Sequence, residues 1–206
     1  YPTPTVYEWS ASVQRALGKN WVAEVSYLGS HTIREQQYVD LNIPDLPQGA
    51  LASLSLQQRR QFPDWAAVQS WMNIGWAKYE SITTSIKAPN WNGLTFMSWF
   101  TWSKDMTTSA VGVSQQGNLD PRLFDIWAGP SLMNPALRNV NSWNYELPFG
   151  AGRKFALSGP LKWVAGGWAI SGVAEFSQGA HQAVTTIDTS GTGQASPMPD
   201  VVAGCN

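Results

Sequence analysis

At 206 residues the chain is long enough for one substantial domain, and a net charge of −1 with a pI near 6.1 gives no electrostatic case for nucleic acid or an anionic surface. Charged residues make up only 13%, against roughly 25% in soluble domains, yet mean hydropathy is −0.22 because Ser, Thr, Asn and Gln supply the polarity. No apolar run approaches the ~18 residues of a membrane helix, and a single cysteine, Cys205, excludes a disulfide framework or a cysteine-based metal site within the chain.

The stretch "YEWSASVQRALGKNWVAEVSYLG", from Tyr7 to Gly29, alternates large apolar and small polar residues, breaks, and alternates again. In an extended chain successive side chains point to opposite faces, so Tyr7, Trp9, Ala11 and Val13 share one side, and Glu8, Ser10, Ser12 and Gln14 the other. Gly18 and Asn20 tolerate the backbone of a tight turn, which makes 7–15 and 21–29 a β-hairpin. A third strand is expected over 76–88, with Ile82, Thr84 and Ile86 facing one way. In "PNWNG" Pro89 is expected to end it, and Asn92-Gly93 to turn the chain. The fourth strand, 94–103, sets Leu94, Phe96, Phe100 and Trp102 against Thr95, Thr101 and Ser103. A fifth, 139–147, carries Trp143, Tyr145 and Leu147, with Glu146 on the polar side; a sixth spans 168–177.

The connections carry more information than the strands. Short links follow strands one and three, whereas long ones, 30–75 and 104–138, follow strands two and four. Long loops therefore collect at one end of the sheet and tight turns at the other, as in outer-membrane barrels. The strands also have about the ~9–11 residues that a tilted strand needs to cross the hydrocarbon layer. Twelve tryptophans are present, and Trp9, Trp21, Trp91, Trp102, Trp143 and Trp168, with Tyr27, fall near strand ends, where amphipathic rings sit at headgroup level. The expected fold is all-β: an antiparallel meander of about six long strands, forming an open segment of a transmembrane β-barrel. Its aromatic and aliphatic face meets lipid, and its Glu/Ser/Gln face a wet or plugged lumen.

Three segments, "YEWSASVQRALGKNWVAEVSYLGSH", "LTFMSWFTWSKDM" and "NYELPFGAGRKF…GGWAISGVAEFSQG", resemble the barrel of TonB-dependent outer-membrane receptors. The resemblance is to the subgroup with an N-terminal carboxypeptidase-regulatory-like domain, and it extends through "QQRRQFPDW" at 57–65. It implies that residues 1–206 are part of a 22-stranded barrel in the outer membrane. Such a barrel imports a scarce ligand of siderophore, glycan or peptide type with energy relayed by the TonB complex. The plug, the TonB-contacting box and the terminal strand of that family have no counterpart in these residues, and 104–138 matches only loosely.

Arg59 and Arg60 form the only adjacent arginine pair. As lumen-facing groups they would offer a fixed donor fork to an anionic ligand, with Asp64 and Trp65 beside them. The plainer reading, and the favoured one, pairs them with Asp64 or another loop acid to hold the loop. Trp65 and Trp71 could stack on a sugar or aromatic ligand, or simply anchor the loop. His31 and His181 are isolated, and Asp40, Asp45, Asp120 and Asp125 form no calcium-loop pattern, so no metal and no cofactor is expected. Segment 148–167, with Arg153, Lys154 and Lys162, reads as a periplasmic turn near the interface. No nucleophile elbow, P-loop or zinc-protease motif occurs, and nothing argues for an enzyme. Two alternatives remain open at this level: a soluble secreted Trp-rich β-sandwich that binds glycans, and a passive porin or adhesin barrel. A sandwich would bury Trp9, Val25, Phe96 and Trp102 beneath a second sheet. A barrel segment would leave them on the outside of one curved sheet.

Overall fold

A computed structural model describes residues 2–18, 20–108, 120–122, 128–150, 154–155, 159–160, 163–164, 166–182, 187 and 191–193. It contains the strands β1 (Thr5–Ala16), β2 (Val22–Asp40), β3 (Gln69–Trp91), β4 (Leu94–Thr107), β5 (Gly129–Pro130), β6 (Leu137–Glu146) and β7 (Ala169–Ser177). All belong to one antiparallel sheet in the order β1-β2-β3-β4-β6-β7, with the two-residue β5 pairing the far end of β4. Each long strand thus pairs with its neighbour in sequence, which is a meander. The outer edges of β1 and β7 carry no partner strand among the described residues, so the sheet is open.

The register fixes the two faces, because directly opposed residues of an antiparallel pair point the same way. Trp9 opposes Gly29, Val13 opposes Val25, and Val25 opposes Thr84, which in turn opposes Phe100. Continuing across the sheet, Tyr27, Ile82, Trp102 and Leu137 form one row, and Phe96 and Trp143 part of another. This face is apolar. Its reverse carries Ser10, Ser12, Ser26, Thr83, Ser85, Thr101, Ser103, Ser142 and Ser171, with Trp99, Tyr79 and Leu28 interspersed.

No described residue forms a layer over the apolar face. Trp9, Val25 and Trp102 are 41%, 52% and 60% exposed, and Phe96 is partly exposed. Val39, Ile43 and Ala88 are the buried apolar residues among those described. A water-soluble sheet of this size would have to hide such a face against a second layer, and the described residues provide none. Along β4 the apolar stretch from Leu94 to Trp102 runs about 27 Å at ~3.4 Å per residue. At a tilt of ~40° that is about 20 Å along the membrane normal, close to the ~25 Å apolar band of an outer-membrane barrel.

The turns follow local chemistry. Asn92 and Gly93 have φ of 53° and 87°, the two positive values that a type I′ hairpin demands. The Asn90 side chain accepts from the Gly93 N–H, and Thr95 Oγ1 donates to the Pro89 carbonyl at 2.9 Å. At the β1–β2 turn Gly18 has φ of 82°, and the Leu17 N–H donates to the Trp21 carbonyl at 2.7 Å.

Three expected boundaries are corrected. Strands two and three do not stop at 29 and start at 76; they run on to Asp40 and back from Gln69, so the first long loop is 41–68. The alternation is lost there because a bulge at Arg34, with φ of 61°, shifts the register between Ile33 and Gln36 and reverses which residues face which way. Gly75 accommodates it: Gln37, itself buried, lies where a Cβ would be. Pro89 likewise does not end β3. The ladder is irregular between Ala88 and Trp91, and the strand resumes with Trp91 opposite Leu94. A proline is tolerated at such a break because it has no N–H to contribute.

Candidate functional site

The two ends of the sheet differ. At the tight-turn end the apolar face carries an aromatic cluster: Trp21 and Trp91 have ring centroids 5.5 Å apart, and Trp21 and Phe96 6.4 Å. Trp91, Leu94, Trp143, Tyr145 and Ile170 line an open groove of about 530 Å³ on the same side. At the long-loop end Tyr7, Trp9, Tyr27 and Trp102 sit on that face, the Trp9 indole N–H donating to the Tyr27 hydroxyl at 3.3 Å. Beyond them Lys78 and Glu80 form an ion pair at 2.9 Å, and Lys104 lies opposite Glu80. Lys78, Glu80 and Lys104 thus gather at the long-loop margin of the apolar face, and Arg15, in the row of Ala23 and Ile86, lies toward its tight-turn margin.

The polar face carries its charges between those borders. Lys87 meets Glu24 at 3.4 Å. Arg138 grips Glu175 with two hydrogen bonds, from Nε at 2.8 Å and from Nη2 at 3.2 Å, a bidentate arrangement. The hydroxyls of Thr83 and Thr101 are 3.0 Å apart, and Glu146 projects to the same side. Paired charges and hydroxyls suit a surface that meets water or protein rather than lipid.

The loop 41–68 is held at the head of the extended β2–β3 ribbon by a buried polar hub. Asn42 has no exposed surface, and its amide donates to the carbonyls of Phe62, Trp65 and Ala66 at 3.0, 3.0 and 2.8 Å. Its Oδ1 accepts from the Phe62 N–H at 2.9 Å. Asp40 Oδ1 accepts from the N–H groups of Asn42 and Val68, both at 2.9 Å, while Oδ2 faces Arg60 at 3.6 Å. Arg60 also donates to the Asn42 carbonyl. Every one of these bonds closes the loop on its own base.

Two arginines tie this loop to its neighbours. Arg59, only 7% exposed, donates to the Asp45 carbonyl and, at 2.5 Å, to the Gly191 carbonyl, far along the chain. Arg122 donates to Asp120 through Nε and Nη2 and to Asp45 Oδ1 at 2.9 Å. The hydrogen bonds to Asp120, aided by Asp45, hold the Arg122 guanidinium above its usual pKa. The Asp120-Pro121-Arg122 turn is closed by the Arg122 N–H on Asp120 Oδ1 at 2.9 Å, an Asx turn.

Of the residues expected at a ligand site, Arg59 and Arg60 therefore lie inside the loop assembly, bonded to its carbonyls and to Asp40. Asp64 is exposed, and Trp65 is 66% exposed with its ring in the open. Phe62 lies near it in sequence and is also exposed, and Trp71 packs against Tyr38 with centroids 4.8 Å apart. His31 sits on the apolar face between Tyr7 and Lys78. Lys154 lies over the Phe155 ring, 5.8 Å from its centroid, and Phe155 stacks on Phe149. Asp125, Arg153, Lys162 and Cys205 lie outside the described residues. Sequence reasoning missed Asn42 and Arg122. The Asp-Pro-Arg turn was a visible signal for the second, whereas a lone Asn in "DLNIPD" gives none.

A family model described as an outer membrane beta barrel domain matches residues 1–206. No curated protein and no solved structure matches the chain.

Proposed function

The chain belongs to the outer membrane β-barrel family and resides in the outer membrane, and from that premise we propose that it forms wall and outer loops of a receptor for TonB-coupled uptake of a scarce ligand. One observation carries the reading: among the described residues, loop 41–68 is tied to points in two other long connections. Arg59 links 41–68 to Gly191, and Arg122 links it to Asp120. A rim tied at this level suits capture of a specific ligand better than free diffusion. The long β2–β3 ribbon, which continues well beyond the length needed to cross the membrane, raises this rim clear of the surface. The ordered sequence resemblance to TonB-dependent receptors supports the same reading.

In this arrangement the exposed side chains of Asp64, Trp65 and Phe62 meet the ligand, while Arg59 and Arg60 hold the loop that presents them. An aromatic ring flanked by a carboxylate fits a ligand with an apolar face and a donor edge, such as a sugar or an aromatic chelator. Below the rim, the Ser, Thr and paired charges of the polar face line the passage. The deciding experiment compares uptake by the full parent protein in cells with and without TonB, alongside passive entry of small solutes. Uptake lost without TonB supports the receptor. Uptake that persists and falls smoothly with solute size identifies a passive pore instead.

A further inference from the structure

Three polar side chains stand in the middle of the apolar face. On β6 both outward residues between Trp143 and Leu137 are asparagines, Asn141 and Asn139. Ser98 on β4 lies directly opposite Asn141, with Phe96 on one side and Phe100 and Trp102 on the other. The patch is therefore inside the apolar band, where lipid offers no hydrogen-bond partner. Part of its demand is met internally. Asn141 Nδ2 donates to Asn139 Oδ1 at 2.5 Å, and Asn139 Nδ2 donates to the Trp99 carbonyl at 2.9 Å and reaches Ser98 Oγ at 3.5 Å. The chain of bonds ends at Asn141, whose Oδ1 accepts from no donor among the described residues and whose amide keeps a second hydrogen.

We propose that this patch is the surface through which two copies of the protein associate side by side in the outer membrane; the proposal rests on the membrane-barrel reading. A carboxamide is at once donor and acceptor, so Asn141 is complementary to Asn141 of a second copy across a two-fold axis, where each surface meets its own image. The patch holds no charge that would repel its copy. The outward charges Lys78, Glu80 and Lys104 lie on β3 and the far end of β4, and Arg15 lies on β1, three strands from Ser98. Beside the amides β7 presents Ala174 opposite Asn141, a small side chain that keeps the relief low at the centre of the patch.

The test uses the full parent protein, labelled with one fluorophore per chain, in phospholipid vesicles, with heat-modifiable gel mobility reporting the folded barrel. Photobleaching in two steps is expected for the parent. Asn139→Leu with Asn141→Leu should weaken association by about tenfold or more while mobility stays that of a folded barrel. Asn141→Ala alone should give a smaller loss, and Val25→Leu, on the same face but remote, none. A photo-crosslinker at position 174 should give an adduct of twice the chain mass. Folded parent protein that bleaches in one step overturns the proposal alone. Dimers insensitive to both asparagine variants, or crosslinks only to a different protein, also overturn it. A parent that never inserts into vesicles overturns the membrane reading with it.

Discussion

The indole of Trp9 lies flat over Gly29, its cross-strand partner, in the space that a Cβ on that glycine would occupy. Trp143 covers Gly172 in the same way on the other side of the sheet. Glycine weakens a strand by leaving backbone uncovered, and an aromatic ring on the opposite residue replaces the missing side chain. Both rings belong to the apolar face, one toward each border, so they also serve as headgroup-level anchors.

Gly29→Ala forces the Trp9 ring off its seat and should destabilise the folded barrel by about 1–3 kcal/mol, the cost of overpacking. Urea unfolding of the parent protein in vesicles measures it. In a Trp9→Leu background the same substitution should cost much less, since the two residues share one contact. Equal costs in both backgrounds would separate the pair.

Phe100 and Thr101 are neighbours in sequence that point to opposite sides of β4. Phe100→Arg should cost about 2–4 kcal/mol, the depth-dependent cost of a cation facing lipid. Thr101→Arg, toward the passage beside Thr83, should cost well under 1 kcal/mol. The same vesicle unfolding assay compares them, and a reversed order would turn the sheet inside out.

Asn42→Ala removes four hydrogen bonds from a fully buried side chain and leaves the Ala66 carbonyl and the Phe62 N–H without their partner, while the Phe62 and Trp65 carbonyls keep the Trp65 N–H and the Gln57 amide. Each orphaned buried group costs about 1–3 kcal/mol. The loss should fall on the loop rather than the barrel. Limited proteolysis within 41–68 should speed up at least tenfold, with heat-modifiable mobility unchanged.

Arg122→Gln cuts the tie between Asp45 and Asp120. Arg122 and Asp45 are half-exposed, so that pair contributes no more than ~1 kcal/mol, while the nearly buried Asp120 carboxylate left without its partner adds about 1–3 kcal/mol. The informative readout is hydrogen exchange, which should accelerate at 41–46 in the variant while the strands β3 and β4 keep their protection.

Trp65→Ala should leave stability within about 0.5 kcal/mol, because the ring touches little. Under the receptor reading it should reduce ligand uptake by cells, and uptake equal to that of the parent would remove Trp65 from the capture surface.

Much of the wall was legible before any coordinates. In "VYEWSASV" and "LTFMSWFTW" the two-residue period names which side chains share a face, and Asn92-Gly93 names its turn type. Legibility failed wherever that period was interrupted. The bulge at Arg34 hid the outer third of β2 and β3, since "REQQYVD" continues the strand without continuing the alternation. It failed again in the loops, where Asp40, Asn42 and Arg60 are close in space only because the chain from 41 to 68 doubles back.

What the sequence determined by itself is the two-sidedness of the ribbon and the medium each side requires. That information is local: it depends on the alternation of neighbouring residues and on the spacing of turns. Only the tertiary structure decided that Arg59 and Arg60 face inward to loop carbonyls, that Arg122 joins Asp45 to Asp120, and that Ser98, Asn139 and Asn141 form one patch across β4 and β6. Those arrangements depend on cross-strand register and loop closure, which bring together residues tens of positions apart and leave no trace in local periodicity.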